Sequence, residues 1–123
     1  MSVYDSAHAL SRALKSSEEY KAYQQARAAI EKDEGAMWVL RDFRKRQMEL
    51  EMAQAAGQKP SDEKIAELNK LAEAISLHKQ VTEFLMQEMR LLRLVADVQK
   101  IMGEALDLLD YLELDKDQKE PDR

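Results

Sequence analysis

The chain has 123 residues, of which 45% are hydrophobic and 35% charged, and it carries a formal net charge of −5 with a pI near 5.1. That balance is too apolar for a disordered chain, and its acidic excess argues against a general nucleic-acid binder, which needs a basic face. There is no cysteine, which removes disulfides, thiolate-bound clusters and thiol catalysis, and no apolar run approaches the ~20 residues that span a bilayer.

The opening segment MSVYDSAHALSRAL has no charged stretch followed by an apolar one, so it does not read as a secretion signal and the cytoplasm is the expected compartment. With two Phe and one Trp, the core must come from Leu, Ala, Met, Ile and Val. A single chain of this kind buries a thin core, and oligomerisation would bury more. Strand alternation is missing and helical spacing runs throughout, so the fold class is all-α: about five helices forming a long antiparallel helical hairpin or bundle, expected to oligomerise.

The first helix is expected over Val3 to Leu14, with Val3, Ala7, Leu10 and Leu14 on one face. Ser16 followed by Glu19 reads as a capping box that opens a second helix, which runs to Glu31 with Tyr20, Tyr23 and Ile30 inward. Asp33 is a candidate N-cap for a third helix over Glu34 to Ala56, and Gly57 supplies the left-handed residue that ends it. Pro60 forbids helix at Lys59, Ser61 caps the fourth helix, and Asp62 and Glu63 complement its dipole. That helix extends to Ile75, with Ile65, Leu68, Leu71, Ala72 and Ile75 inward. The fifth runs from Lys79 to Tyr111, with an apolar set of Val81, Phe84, Leu85, Leu91, Leu92, Val95, Val98, Met102, Ala105 and Leu109. Residues 1–112 read as one all-helical domain and 113–123 as a charged tail expected to fray.

On the third helix the 3–4 spacing gives Leu40, Phe43, Gln47, Leu50 and Gln54, a seam with an amide in alternate layers. Polar residues in such a seam cost stability but fix register and partner number, so the seam is either a register device, a solvated edge or a polar groove for a partner. Gln99 lies opposite the apolar set of the fifth helix. Glu88 interrupts that set and needs a cation, with Arg41, Arg44 and Arg90 as candidates. The run RDFRKR (Arg41, Arg44, Lys45, Arg46 around Phe43) reads as a solvated face or, less simply, as a contact for the phosphates of RNA or for an acidic partner. Asp5 and His8 stand one turn apart, a pairing that di-iron bundles use twice together with two bridging glutamates, and it occurs here once. The methionines read as adaptable packing. No phosphate-binding loop, dinucleotide fingerprint, zinc-protease motif or nucleophile elbow is present, so neither an enzyme nor a cofactor is expected.

Three blocks in order, VYDSAHALSRALKSSEEYKAY, DFRKRQMELEMAQAAGQ and VTEFLMQEMRLLRLVADVQKIMGEAL, resemble the YlbF/YmcA family of bacterial cytoplasmic helical proteins, in particular its YheA-like branch. The resemblance covers residues 3 to 109. It implies homo- or hetero-oligomers and a regulatory, non-catalytic role, in some members alongside ribonuclease Y. Some members hold iron–sulfur clusters on cysteines, which this chain lacks. The expected interface comprises Leu40, Phe43, Arg44, Gln47, Leu50, Gln54, Phe84, Glu88, Leu91 and Gln99, with Arg90, Asp97 and Lys100 also matching the last block. The expected partners are further copies in a dimer or higher oligomer, and ribonuclease Y or a family paralogue. Membrane and nucleic acid are not expected. The other function classes are a self-assembling structural module and an RNA-binding factor.

Overall fold

The structure is a computed structural model, and it describes residues 2–107. It contains five helices: α1 Val3–Lys15, α2 Glu18–Glu31, α3 Glu34–Ala55, α4 Asp62–Ser76 and α5 Lys79–Ala105. Among the described residues there is no strand, and no helix is long and apolar enough to cross a membrane.

Side-chain caps set most of these boundaries. Ser2 and Asp5 form a reciprocal capping box: Asp5 N–H donates to Ser2 Oγ at 3.1 Å and Ser2 N–H donates to the Asp5 carboxylate at 3.4 Å. The carboxylate that the sequence pairs with His8 therefore serves the start of α1. The next cap lies one residue later than the spacing suggests. Ser17, not Ser16, caps α2 by accepting from Tyr20 N–H at 3.1 Å, and Ser16 closes α1 with its own N–H on Arg12 O. The Ser17 hydroxyl also donates to Leu14 O at 2.6 Å, so one side chain ends one helix and begins another. Asp33 accepts from Ala36 N–H at 3.1 Å and Ser61 from Lys64 N–H at 3.2 Å, as their positions require.

The end of α3 is a Schellman motif. Gly57 sits at φ +80°, its N–H donates to Gln54 O at 3.0 Å, and Gln58 N–H reaches Ala53 O at 2.8 Å. The α4–α5 junction is stapled by Thr82, whose hydroxyl donates to Ile75 O at 2.9 Å. Helix α5 ends at Ala105, earlier than the periodicity suggests: Leu106 and Asp107 form a turn, with Asp107 at φ +58°. Aspartate tolerates this left-handed conformation better than most residues, so the stop needs neither glycine nor proline. Residues 108–111 of the expected helix, and the tail at 113–123, lie outside the described residues.

The chain divides into two compact units, residues 1–88 and 89–123. In the first, the buried core is Ala26 and Ile30 from α2, Ala36 and Leu40 from α3, Ile75 from α4, and Val81 and Phe84 from the start of α5. Tyr23, Met37, Val39, Phe43, Leu71 and Leu85 pack around it half-buried. Two expected apolar faces are covered only in part. Leu10 and Leu14 of α1 are half-buried while Val3 and Ala7 are exposed. In α4, Leu68 and Leu71 are half-buried while Ile65 and Ala72 are exposed. In the second unit, Leu91, Leu94, Val95 and Val98 recur at i, i+3, i+4 and i+7 as a half-buried stripe, whereas Leu92 and Met102 of the expected apolar set are exposed.

Three substitutions test this reading. At Gly57 nothing lies within 4 Å of an added Cβ, so Gly57→Ala meets only backbone strain, and we expect a loss of about 1 kcal/mol in urea titrations followed by circular dichroism. Ile30 is 1% exposed and Ile65 41%, so Ile30→Ala should cost about 3 kcal/mol and Ile65→Ala less than half of that in the same titration.

Candidate protein-binding surface

Phe84 of α5 is the centre of the one place where expected interface residues converge. Its ring lies 5.5 Å from the Tyr23 ring of α2, and Tyr23 stacks in turn on Tyr20 at 6.3 Å. The Arg44 guanidinium of α3 lies 5.6 Å from the Phe84 ring centroid, a cation–π distance. One nitrogen of that guanidinium, Nη2, donates to both oxygens of Glu88, at 2.5 and 2.6 Å. Of the three arginines proposed for Glu88, Arg44 is the partner in this ion pair.

The helical repeat explains the grouping. Phe84 and Glu88 stand one turn apart on α5, as do Leu40 and Arg44 on α3, so two helices each contribute an apolar residue and a charge to one layer. Around them is a cleft of about 320 Å³ lined by α2, α3 and α5. Buried Ile30, Leu40 and Phe84 contribute to it, together with Tyr23, Met37 and the charged groups Arg27, Glu31, Arg41, Arg44 and Glu88.

The basic run on α3 is largely matched by carboxylates. Besides the Arg44–Glu88 pair, Arg46 reaches Asp42 at 3.3 Å and Glu67 of α4 at 2.7 Å. The hydrogen bond to Asp42, with its charge and that of Glu67, raises the Arg46 pKa above its already high ordinary value. Among the described residues, Arg41 and Lys45 make no ion pair.

The remaining expected interface residues are dispersed. Phe43 and Leu50 are half-buried, while Gln47 and Gln54 are exposed. Leu91, half-buried, and Gln99, exposed, belong to the second unit. The amide that the fold does bury is Gln87, 9% exposed, whose Nε2 donates to Glu83 at 2.7 Å. Sequence reading also passed over the outer face of α3. Trp38, Met48 and Met52 lie there at 66%, 59% and 65% exposure, with Arg41 and Lys45 between them in sequence. The signal was present as the spacing Trp38–Arg41–Lys45–Met48–Met52, three apolar residues and two cations on the side of the helix away from Leu40.

Comparison with known proteins bears on the family and the fold. A family model described as "Control of competence regulator ComK, YlbF/YmcA" matches residues 3–107. A UPF0342 protein of Caldicellulosiruptor saccharolyticus is 41% identical over 110 residues, covering 89% of this chain and 92% of that protein. One from Symbiobacterium thermophilum is 42% identical over 106 residues, covering 86% and 95%. Among solved structures, a protein of unknown function (DUF964) from Bacillus stearothermophilus shares the fold, with a TM-score of 0.77 at 21% identity, covering 88% of this chain and 95% of that one. The match to the family model across all five helices, together with relatives above 40% identity over most of their length, establishes that the chain belongs to the YlbF/YmcA family.

Proposed function

We propose that this protein is a non-catalytic regulatory adaptor of the cytoplasm that self-associates through its long helices and docks on a protein partner. The observation that carries this reading is the outer face of α3, where Trp38, Met48 and Met52 stand exposed on a helix whose opposite side already serves the core. Large apolar side chains gathered on one exposed face mark interaction surfaces, and Trp is among the residues most enriched at binding hot spots. The family model's description, which speaks of control of a competence regulator, supports a regulatory role. For the partner we take RNA-processing machinery such as ribonuclease Y, or a paralogue of this family. Capture of the tagged protein from its host's lysate after cross-linking and nuclease treatment should enrich one of these reproducibly. Recovery of the bait alone would replace the adaptor by a self-assembling module.

Self-association would use the seam of α3 beyond the core, Gln47, Leu50 and Gln54, and the apolar residues of the second unit such as Leu91, with Gln99 beside them. Gln47 and Gln54 are exposed within a single chain, so a register role for them requires a second copy. Leu layers would supply the association energy, and amide layers would disfavour slipped pairings. Replacing both glutamines with leucine should change the mass measured by light scattering or broaden its distribution. An unchanged oligomer with unchanged partners would exclude the register role.

A further inference from the structure

The first two turns of α3 carry Glu34, Met37, Trp38 and Arg41 at i, i+3, i+4 and i+7, and all four line one surface depression together with Glu31 of α2. Glu31 is held by Arg27 at 3.2 Å. Glu34 and Arg41 are both exposed and, among the described residues, make no ion pair. Trp38 is 66% exposed and Met37 half-buried. The patch therefore presents one unpaired carboxylate and one unpaired guanidinium with two apolar side chains between them. Its unpaired charges sum to zero, so it favours neither an acidic nor a basic partner.

Resting on the self-association in the function proposed above, we propose that this patch is a two-fold interface that takes the same patch of a second copy, with the two α3 helices antiparallel. The order of residues carries the argument. Along α3 it runs acid, methionine, tryptophan, base, and in reverse it runs base, tryptophan, methionine, acid. Antiparallel pairing about the midpoint of Met37 and Trp38 sets Glu34 against Arg41 of the second copy, and Met37 against Trp38 of the second copy, each twice. Glu34 and Arg41 stand two turns apart, about 10.5 Å along the axis, so both pairs form in one crossing of the helices. Parallel pairing would instead oppose like charges at both ends. The chain already carries the complement of its own patch, which is the requirement for a closed two-fold dimer.

The two kinds of contact do different things. Tryptophan against a thioether supplies burial and a sulfur–ring attraction. Exposed ion pairs add little affinity but select the orientation. Lys45, exposed and unpaired one turn past Arg41, falls beyond the second copy's α3, whose first residue is the Glu34 that meets Arg41. Met48 and Met52 lie further along and stay available to another protein. All these residues belong to the first unit.

Charge reversal in the full-length protein tests the pairing, with mass followed by sedimentation over a dilution series. Glu34→Arg places arginine against arginine and Arg41→Glu places glutamate against glutamate, so each should weaken association about tenfold, less at high salt. The double variant Glu34→Arg/Arg41→Glu restores both pairs and should return to the parent's affinity. An equimolar mixture of the two single variants should associate more tightly than either alone, because their heterodimer is complementary at both ends. Trp38→Ala should weaken association about a hundredfold, as truncation of a buried tryptophan in each copy implies. Trp38 is the sole tryptophan of the sequence, so its emission should move to longer wavelength as the parent is diluted. Circular dichroism confirms that each variant keeps its helices. An oligomer that tolerates Trp38→Ala, single variants that gain nothing on mixing, or an emission unchanged by dissociation would each overturn this pairing and leave self-association standing through other faces. A parent that sediments as a monomer at every concentration would remove self-association itself, and this pairing with it.

Discussion

Phe84 is the point on which the first unit depends. It comes from the start of α5, is 5% exposed, packs near Tyr23 of α2, and lies beneath Arg44 of α3. One side chain thus ties three helices, and the same geometry brings Arg44 onto Glu88 one turn further along α5. The apolar burial supplies the larger stabilisation. The ion pair, with side chains 45% and 25% exposed, contributes on the order of 1 kcal/mol or less, and its main effect is to fix which faces of α3 and α5 meet. Everything at the cleft inherits that orientation, because Leu40 and Arg44 lie one turn apart on the same helix, with Arg41 next to Leu40.

The helices were legible in the sequence because their ends are written in side chains whose physics is local. Asp33, Gly57 and Ser61 each act on backbone groups within a few residues, so no knowledge of the rest of the fold is needed to place them. Where two serines stood side by side the choice between them was not local. Ser17 prevails over Ser16 because its hydroxyl can close α1 and its oxygen can open α2 at once. The stop at Asp107 was hidden for a related reason: the apolar spacing continues past it and aspartate is not a strong terminator.

The site was legible in chemistry but not in geometry. A carboxylate within an apolar stripe demands a cation, which gave Arg41, Arg44 and Arg90 as candidates for Glu88, and Arg44 forms an ion pair with it. Nothing in one dimension shows that Tyr23 would share the same cleft, or that Arg41, embedded in a basic run, would be left over once Arg44 and Arg46 found their carboxylates. The glutamine seam shows the opposite failure. Its period is real, yet burial depends on which neighbours are present, and within one chain α3 extends past what the core covers, leaving Gln47 and Gln54 in solvent. Single-helix periodicity cannot distinguish a face awaiting a partner from a face with none.

The distribution of sulfur in this molecule has a chemical consequence. The buried core contains no methionine among the described residues, while Met48, Met52, Met86, Met89 and Met102 are all exposed. With no cysteine in the chain, the thioethers are its principal oxidisable groups. Conversion to the sulfoxide would therefore spare the interior and instead turn flexible apolar side chains polar on the outer surfaces of α3 and α5. Peroxide would alter how these helices present themselves to other molecules while leaving them folded, and the reversibility of sulfoxide formation would make that change one a cell can undo.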